Sequence, residues 1–396
     1  MSGAGETGAI LTLNAGSSSI KFAIFDVAAD GALQAWRRGE LREDGAGQRF
    51  RVKDADGELL ADEAWEQTGF EASLEHLLSR LDGELHGRHL AGIGHRVVHG
   101  GAGHRAPEEV TPELLDLLGS LAELAPLHVP HNLAPIREIA RTRPGIRQVV
   151  CFDTAFHRTM PAVATRFALP REFERRGIRR YGFHGLSYEY VSRRLAVVSP
   201  QVHGGRVIAA HLGNGASMCA LRGGESIDTT MGFTALDGLV MGTRCGALDP
   251  GALLHLMRWE GLSIDETERL LYTRAGLLGL SGISNDMRVL LESAEPAAAE
   301  AVDVFVHRIV RETGALASVL GGLDGFVFTA GIGENAPEIR ERVCERLGWL
   351  GVRLDRAANA DAAPVISAAD SAVEVRVIAT DEEAMIAEHV RDLPAS

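Results

Sequence analysis

The 396-residue sequence has few cysteines and no long apolar run. Its four cysteines, Cys151, Cys219, Cys245 and Cys344, are scattered, and no C-x-x-C pair accompanies them. This distribution excludes a small disulfide scaffold and indicates reduced thiols, as in a cytoplasm. The N-terminal MSGAGETGAI lacks a basic region, and no segment approaches the roughly 20 apolar residues that span a bilayer. We therefore expect a cytoplasmic protein that is neither exported nor anchored in a membrane.

The sequence also has few positive charges: 40 Lys and Arg residues are outnumbered by 54 Asp and Glu residues, which gives a net charge of −14. This balance argues against nucleic acid as a main partner, since binding to phosphates needs a basic face. The most basic stretch, RRGIRR (175–180), is short and typical of a solvated turn. With 45% hydrophobic residues, the chain can bury a sizeable core, and its length fits about two or three domains.

Strand-like runs rich in Val, Ile and Phe alternate with helical patterns, which predicts an α/β fold. An apolar strand, a glycine-rich turn and a second apolar strand occur at 11–26 and again at 206–221. This recurrence predicts a duplicated fold with two similar halves. A third strand leads into a glycine loop at 331–333, and Pro337 and Glu338 should open the next helix. Main-chain N–H groups at such a helix start favour an anion or a nucleotide.

Two helices are marked clearly by their end signals and apolar stripes. Thr111 fits an N-cap and Pro112 the first helical position, ahead of leucines at helical spacing. The segment 300–320 places Val302, Phe305 and Ile309 on one face, which predicts a second amphipathic helix.

Three motifs imitate known nucleotide or catalytic loops. GAGETGAI (3–10) has Walker spacing, but Ala9 and Ile10 stand where Lys and Ser or Thr are required. GIGENA (331–336) fits the dinucleotide fingerprint, yet it lies too near the C-terminus for a full βαβαβ half to follow. HGGAG (99–103) resembles a hydrolase oxyanion loop, but no G-x-S-x-G elbow accompanies it. These alternatives are disfavoured.

Two histidine pairs have spacings that could ligate zinc, namely His95 with His99 and His128 with His131. No H-E-x-x-H motif and no cysteine pair completes either set. A non-metal role is favoured for all four.

The first hairpin turn carries the strongest phosphate signal. Gly16 and three consecutive serines, Ser17 to Ser19, offer N–H donors and hydroxyls, and Lys21 adds a positive charge. Such a concavity suits phosphate oxygens. An ordinary serine-rich turn is the alternative, and it stays open from these residues alone.

The chain resembles the acetate kinase family along essentially its whole length. The motifs that carry the resemblance are NAGSSSIK (14–21), GHRVVHGG (94–101), FDTAFH (152–157), YGFHGLSY (181–188), HLGNGAS (211–217), MGTRCGALDP (241–250), GIGEN (331–335) and TDEE (380–383). The resemblance implies two duplicated actin-like, ribonuclease H-like α/β domains with a nucleotide cleft between them. It further implies an N-terminal domain over 1–152, joined by a C-terminal helix at 383–396, and a C-terminal domain over 153–382 that carries most of the nucleotide site.

The same resemblance implies the activity. The family is typically a homodimer that interconverts acetate plus ATP with acetyl phosphate plus ADP, using Mg²⁺, with Mn²⁺ as a possible substitute. A carboxylate is already ionised at neutral pH, so it needs alignment and relief from charge repulsion more than it needs a base. Its site should therefore be rich in cations and hydrogen-bond donors.

Catalytic roles follow from matching the family motifs. We expect Arg96 to bind the acyl carboxylate and Arg244 the transferring phosphoryl group, because planar guanidinium forks suit both. His184 matches the histidine thought to stabilise the transition state, and His128 matches a second active-site histidine. Asp153 would act as an acid/base or organise the metal, and we favour the orientation of magnesium-bound water.

Binding roles follow in the same way. Asn14 and Glu382 match the magnesium site, and Ser17, Ser19 and Lys21 would line the phosphates. The residues expected to bind the nucleotide are His211, Leu212, Gly213, Asn214, Gly215, Asp286, Met287, Arg288, Gly331, Ile332, Gly333, Glu334 and Asn335. The residues expected to line the small acyl pocket are Arg96, Val98, Leu127, Phe183 and Ala235.

The sequence departs from the family pattern at four places. Ala235 replaces a usual proline in the acyl pocket, Met287 a usual phenylalanine and Asp381 a usual asparagine, while HVPHN (128–132) replaces HNPPN. A pocket enlarged at Ala235 keeps propionate or butyrate kinase open as the alternative, since one methylene shifts preference by only about 1–3 kcal/mol. A non-kinase switch of the actin or Hsp70 kind is less favoured, because it has no need for Arg96, Arg244 and His184 together.

Overall fold

A computed structural model describes residues 8–16, 19–44, 47–65, 70–85, 88–121 and 129–394. The chain forms two compact units: unit 1 comprises Met1–Ala155 with Asp381–Ser396, and unit 2 comprises Phe156–Thr380. The boundaries expected from the sequence differ by a few residues. The difference moves Asp153 and Glu382 out of the expected C-terminal domain and into unit 1.

The described residues form two β-sheets, one in each unit. The strands are β1 (Gly8–Ala15), β2 (Ser19–Val27), β3 (Leu33–Asp44), β4 (Gly47–Asp54), β5 (Leu59–Trp65), β6 (His89–Val97), β7 (Glu108–Glu109), β8 (Gln148–Phe152), β9 (Arg206–Leu212), β10 (Ala216–Arg222), β11 (Glu225–Thr229), β12 (Gly325–Thr329) and β13 (Glu374–Val377). The first eight strands lie in unit 1 and the last five in unit 2.

Helices connect these strands. They are α1 (Phe70–Glu84), α2 (Pro112–Ser120), α3 (Val129–Thr142), α4 (Ala162–Thr165), α5 (Arg171–Arg175), α6 (Gly185–Val198), α7 (Pro200–His203), α8 (Pro250–Arg258), α9 (Ile264–Arg269), α10 (Gly276–Ser281), α11 (Met287–Glu292), α12 (Pro296–Leu320), α13 (Ala330–Asn335), α14 (Pro337–Arg346), α15 (Arg356–Ala360) and α16 (Glu382–Asp392). No helix within the described ranges is long and apolar enough to cross a lipid bilayer.

The two sheets share one topology. Unit 1 contains the order β3-β2-β1-β6-β8, and unit 2 contains the order β11-β10-β9-β12-β13. In both, the first three strands of the order pair antiparallel, and the last three pair parallel. The antiparallel β4 and β5 and the short β7 extend the unit 1 sheet at its edges. The predicted α/β fold and its duplication are confirmed.

Helix α16 packs closely on the unit 1 sheet because β6 carries glycines beneath it. A Cβ atom at Gly94 would lie 2.3 Å from Ile386 Cγ2, and one at Gly92 would lie 3.0 Å from Val390 Cγ1. Only glycine therefore permits this separation of helix and strand. The close contact brings the first residue of α16, Glu382, to the end of β1, where Asn14 lies.

The helix signals read from the sequence have mixed outcomes. Thr111 caps α2, its side chain accepting a hydrogen bond from the Leu114 N–H at 3.2 Å, and Pro112 is the first helical residue, as predicted. Helix α12 is also confirmed, with the predicted apolar face buried. The predicted glycine loop at 331–333 is wrong, because these residues lie inside α13, which begins directly after β12. Thr329, the last residue of β12, has an extended backbone and is followed directly by α13, so no glycine loop separates the strand from the helix.

Two buried histidines make the stability of the fold depend on pH. His95 contacts Gln148 Oε1 at 2.8 Å, and His157 contacts the Phe183 carbonyl at 2.9 Å and Ser226 Oγ at 2.8 Å. Burial lowers the pKa of each imidazole from 6.5 to about 4. Both rings are therefore neutral in the folded state, and acid favours the unfolded chain, which binds the proton more readily.

We expect each histidine to lower the free energy of unfolding by about 2 kcal/mol as the pH falls from about 7 to 5. The stabilisation is present above pH 6.5 and is lost as the pH falls towards 4. Urea unfolding at the two pH values measures it. His95→Gln should remove about half of the histidine-dependent loss, while His255→Gln, at an exposed position, should leave the loss unchanged. An equal pH dependence in the wild type and the His95 variant would contradict the assignment.

Candidate active site

A cluster of charged and polar side chains lies at one edge of the unit 1 sheet. Strands β1, β6 and β8 pair parallel, so their carboxyl ends meet at this edge. Asn14 is near the end of β1, Arg96 is near the end of β6, and Asp153 directly follows β8. Glu382 joins them as the first residue of α16. We call these four residues the Arg96 cluster.

Arg96 is the centre of this cluster. Its Nε lies 3.0 Å from both Asp153 carboxylate oxygens, and its Nη1 donates to Asn14 Oδ1 at 3.1 Å. Glu382 Oε2 lies 3.9 Å from Arg96 Nε and 3.4 Å from Asn14 Nδ2. Burial disfavours the guanidinium charge, but Asp153 and Glu382 outweigh it and raise the arginine's pKa above its ordinary value. The Asp153 side chain is 1% exposed and that of Arg96 20%, so Arg96 is the more accessible partner.

The first hairpin continues this surface. Gly16 N–H donates to the Ser19 carbonyl at 2.7 Å and closes the turn, and Lys21 pairs opposite Asn14 in the β1–β2 ladder. The exposed Lys21 is close enough to Glu383 for its charge to favour the carboxylate. Burial and the Glu382 charge nevertheless leave the pKa of Glu383 raised. Lys21 of β2 therefore places a positive charge beside the Arg96 cluster.

Asp381, the departure from the family's asparagine, has a clear local role. Its carboxylate caps α16 by accepting from the Ala384 N–H at 2.9 Å. It also pairs with Arg38 of β3, whose Nη1 lies 3.0 Å from Asp381 Oδ1. A charged cap is favoured here because it meets both a helix N-terminus and an arginine.

In unit 2, a guanidinium nitrogen and an imidazole nitrogen both approach Gly215. A Cβ atom at this position would lie 2.6 Å from Arg244 Nη2 and 3.2 Å from His184 Nε2. Arg244 is oriented by a hydrogen bond from its Nη1 to the Ala235 carbonyl at 2.6 Å. His184 precedes α6 in the left-handed region at φ 58°, a backbone conformation that is strained for a non-glycine residue. The absence of a side chain at Gly215 thus lets both nitrogens approach its backbone closely.

Two histidines of unit 2 stack on each other. The rings of His184 and His211 have centroids 4.1 Å apart and planes 17° apart. Each Nδ1 lies 2.8 Å from a serine hydroxyl, that of Ser217 for His184 and that of Ser187 for His211. Sequence reasoning missed both serines, although they lie within motifs that carried the family resemblance. No pattern in the sequence indicates that these hydroxyls face imidazoles.

The expected nucleotide residues fall into three segments of unit 2. Asn214, between β9 and β10, accepts from Asn285 Nδ2 at 3.2 Å, and a Cβ at Gly242 would lie only 1.9 Å from its Oδ1. Asp286 caps α11, and Arg288 returns a bidentate ion pair to it. Glu334 in α13 accepts from the Ala330 and Thr380 N–H groups at 2.7 and 3.1 Å.

Not every expected site residue is exposed to a ligand. Leu212 and Met287 are 0% and 3% exposed, and Phe183 and Val98 are 2% and 6% exposed. Gly331 and Asn335 are exposed, whereas Gly333 is buried, and Ile332, like Ala235, is partly exposed. Three of the expected residues, Ser17, Leu127 and His128, lie outside the described residues.

The zinc alternative finds no support among the residues that the structure describes. His95 and His99 make other hydrogen bonds, the first with Gln148 and the second with the Gly101 N–H at 2.8 Å. No group of three or more His, Cys, Asp and Glu side chains in the described part of the chain could hold a metal ion.

Comparison with known proteins identifies the family. The model of the acetokinase family matches residues 9–388. An acetate kinase from Rhodopseudomonas palustris is 52% identical over 389 residues, covering 96% of this chain and 97% of that protein. The solved structure of Porphyromonas gingivalis acetate kinase is 37% identical with a TM-score of 0.85, covering 97% and 98% of the two chains. A propionate kinase from Francisella tularensis is 36% identical with a TM-score of 0.90, covering 96% and 98%. The chain therefore belongs to the acetokinase family of phosphotransferases and has the actin-like ATPase fold of the acetate and propionate kinases.

Proposed function

We propose that this enzyme catalyses the reversible, Mg²⁺-dependent transfer of the γ-phosphoryl group of ATP to acetate, giving acetyl phosphate and ADP. Membership of the acetokinase family makes acetate and ATP its small-molecule substrates. The observation that carries the assignment of roles is the guanidinium of Arg96, whose side chain is 20% exposed and which contacts Asp153 and Asn14 at one sheet edge. A non-kinase switch of the actin kind would have no use for such an anion-binding arginine.

Arg96 is proposed to bind the acetate carboxylate. A guanidinium presents a planar fork that matches the two carboxylate oxygens, and its charge offsets repulsion between acetate and the triphosphate. Asp153 meets Arg96 with both carboxylate oxygens and is almost fully buried. Its contacts support a role in holding the guanidinium, in place of the metal or acid/base role expected from the sequence. Acetate then attacks the γ-phosphorus in line, without a base.

His184 and Arg244 are proposed to stabilise the phosphoryl group in transit. Their donor atoms converge at Gly215, so one phosphoryl oxygen could meet both. Phosphoryl transfer depends mainly on positioning and on stabilising charge at the equatorial oxygens. Ser19 and Lys21 of the first hairpin, together with Ser17, remain the proposed contacts of the other phosphates. His128 remains a proposed second active-site histidine.

The nucleotide is proposed to bind the three segments of unit 2 described above. Asn214, Arg288 and Asn335 are exposed and carry hydrogen-bonding side chains. Leu212 and Met287 are too buried for side-chain contact, so they would shape the site from beneath it. The capped, ion-paired α11 start at Asp286 and the Glu334 contacts give these segments fixed positions.

Asn14 and Glu382 are proposed to hold Mg²⁺. Amide and carboxylate oxygens are the ligands that Mg²⁺ prefers, and it commonly takes few protein ligands alongside phosphates and waters. Glu382 Oε2 lies 3.4 Å from Asn14 Nδ2, and Asn14 Oδ1 accepts from Arg96 Nη1 at 3.1 Å, so a rotation of the Asn14 amide would turn its oxygen and the Glu382 carboxylate towards one ion. When bound, Mg²⁺ supplies charge neutralisation to the phosphates, and Mn²⁺ could replace it.

The enzyme's activity should be tested by trapping the acyl phosphate with hydroxylamine. We expect acyl hydroxamate from acetate, ATP and Mg²⁺, a lower kcat/KM for propionate and butyrate, and no product after chelation of Mg²⁺. Arg244→Ala should lower kcat by about 10² or more while nucleotide binding, measured by calorimetry, changes little. Absence of hydroxamate from all three acids would contradict the proposed function, and a preference for propionate would favour the alternative substrate.

The choice between acetate and larger acids is proposed to depend on Ala235. Its carbonyl accepts from Arg244 Nη1 at 2.6 Å, so residue 235 lies beside the arginine proposed to bind the transferring phosphoryl group. Alanine is smaller than the family's proline and leaves more room for an extra methylene. The similarity to a solved propionate kinase keeps propionate as a second candidate substrate.

Ala235→Pro should lower the ratio of propionate to acetate kcat/KM by about three- to tenfold, because the ring fills space that the methylene would use. Ala235→Val provides a control that adds bulk without constraining the main chain, and it should shift the ratio in the same direction. Steady-state kinetics with both acids measures the effect. If neither variant changes the ratio, Ala235 does not select the acid.

The enzyme is proposed to be a homodimer that uses the surface of α8 and α9. Helix α8 is rich in leucine, yet it has no buried residue in this chain. Leu254, Trp259 and Ile264 are 58%, 73% and 71% exposed. Exposure of several large apolar side chains on neighbouring segments is typical of a protein–protein contact. A second copy of the chain is the proposed partner.

Trp259→Glu should shift the enzyme from dimer to monomer in sedimentation velocity, raising the dissociation constant by about 10². The reason is that a carboxylate would be buried without a partner in the contact. Trp349→Glu is the matched control, since Trp349 is 68% exposed elsewhere in unit 2. Unchanged sedimentation of the Trp259 variant would exclude this surface as the contact.

A cytoplasmic location is proposed as well. All four cysteines are free, and Cys151, Cys219 and Cys344 are buried. Unpaired thiols of this kind are typical of a reducing compartment.

A further inference from the structure

The His184 imidazole is linked to a buried tyrosine through one serine hydroxyl. Ser217 Oγ lies 2.8 Å from His184 Nδ1 and 2.5 Å from the Tyr188 hydroxyl. Tyr188 is one helical turn after His184, and its N–H donates to the His184 carbonyl at 3.0 Å. Tyr188 and Ser217 are 0% exposed and His184 is 7% exposed. The three side chains therefore form a water-excluded hydrogen-bond chain.

The protons of this chain can be assigned by counting donors and acceptors. Burial raises the pKa of Tyr188 well above 10, so its hydroxyl is protonated. A hydrogen bond with the His211 main chain opposes this rise in the pKa of Tyr188 without reversing it. The phenolic proton is then available to Ser217 Oγ.

The two directions of the chain leave different protons without a partner inside it: the Nε2 proton of His184, which is 7% exposed, or the phenolic proton of Tyr188, which is 0% exposed. If Tyr188 donates to Ser217, the serine proton can be donated to His184 Nδ1, and the neutral imidazole carries its own proton on Nε2. In the reverse direction, the serine donates to Tyr188, and the phenolic proton is left without an acceptor among the described contacts. A buried donor without an acceptor costs about 1–3 kcal/mol, so the first direction is favoured.

The consequence appears at the other side of the imidazole. His184 Nε2 and Arg244 Nη2 approach the same residue, Gly215, at 3.2 and 2.6 Å from the place that a Cβ atom would take. An N–H at this atom is a donor aimed at the same place as the guanidinium. A proton on Nδ1 would instead present a lone pair there and repel a phosphoryl oxygen.

The stacked His211 ring supports the same arrangement. With centroids 4.1 Å apart, the two rings restrict each other's rotation, and two imidazolium charges at this distance would repel. His211 also has its Nδ1 occupied by a serine, Ser187, which in turn meets the Thr380 hydroxyl at 2.9 Å. The ring plane of His184 is thus held from its face and from its Nδ1 edge.

We infer that Tyr188 and Ser217 are positioning residues that hold His184 in the tautomer with the proton on Nε2, as a hydrogen-bond donor to the transferring phosphoryl group. This inference rests on the proposed function of His184. Neither residue touches the substrate, and each acts through the imidazole.

The tautomer can be observed directly by two-bond ¹⁵N–¹H correlation spectra of histidine-labelled enzyme. We expect His184, identified by the loss of its signals in His184→Ala, to show an unprotonated Nδ1 and a protonated Nε2. In Ser217→Ala and Tyr188→Phe, the spectrum should move towards a mixture of tautomers. A wild-type spectrum with the proton on Nδ1 would overturn the inference, whether or not the enzyme is active.

Kinetics provide the second test. Ser217→Ala should lower kcat about tenfold or more while the KM values for ATP and acetate change by less than about threefold. In a His184→Ala background, the same substitution should change kcat by less than about twofold, because its effect runs through the imidazole. An equal loss in both backgrounds, or no loss in either, would overturn the positioning role.

Ser192→Ala is the matched control for loss of packing. Ser192 lies on α6, as Tyr188 does, and is 6% exposed, and its hydroxyl donates to the Gly224 carbonyl at 2.9 Å. It should share any fall in melting temperature with Ser217→Ala but keep wild-type kcat. Should Ser217→Ala fail to fold, Tyr188→Phe carries the same kinetic expectation. Inactivity of the wild type towards all acids would refute the proposed function instead, and the spectra would still decide the tautomer.

Discussion

Parallel pairing of three strands in each sheet is the constraint on which the described site residues depend. Because β1, β6 and β8 run in one direction, their last residues must meet at one edge, and Asn14, Arg96 and Asp153 all lie there. The same pairing of β9 and β12 places His211 directly opposite Thr329, the residue before α13. The hydrogen-bonded pairing of the strands therefore determines which edge of each sheet can carry a cluster of functional side chains.

The two units stabilise their buried polar side chains by different interactions. In unit 1, opposite charges stabilise each other: Arg96 keeps its proton because Asp153 and Glu382 offset the cost of burial. Unit 2 places a neutral hydroxyl and a second ring against His184, and Gly215 lets the imidazole approach its backbone closely. A charged cluster suits the binding of ionised groups, whereas a neutral network suits the orientation of a single donor. Both arrangements depend on glycines that allow close approach.

Much of the fold could be predicted from the sequence because its signals are local. Strand periodicity and turn residues revealed both hairpins, and the Thr111 cap with Pro112 marked the start of α2. The loop expected at 331–333 failed for the same reason, since glycines are compatible with a short helix when tertiary contacts hold it. Glu334 and the buried Arg340, whose guanidinium donates to the Gly333 and Glu334 carbonyls, provide those contacts. None of them is visible in the local sequence.

What the sequence by itself determined is therefore the duplicated strand pattern, the family, and the identity of the charged residues available for chemistry. Tertiary structure decided which of them meet. Asn14 and Glu382 are 368 residues apart and come together only because Gly92 and Gly94 let α16 lie against β6. Asp153, directly after β8, meets Arg96 of β6, and Ser217 of β10 meets His184, the residue before α6. Such contacts depend on distances across the sheets, which residue order does not encode locally.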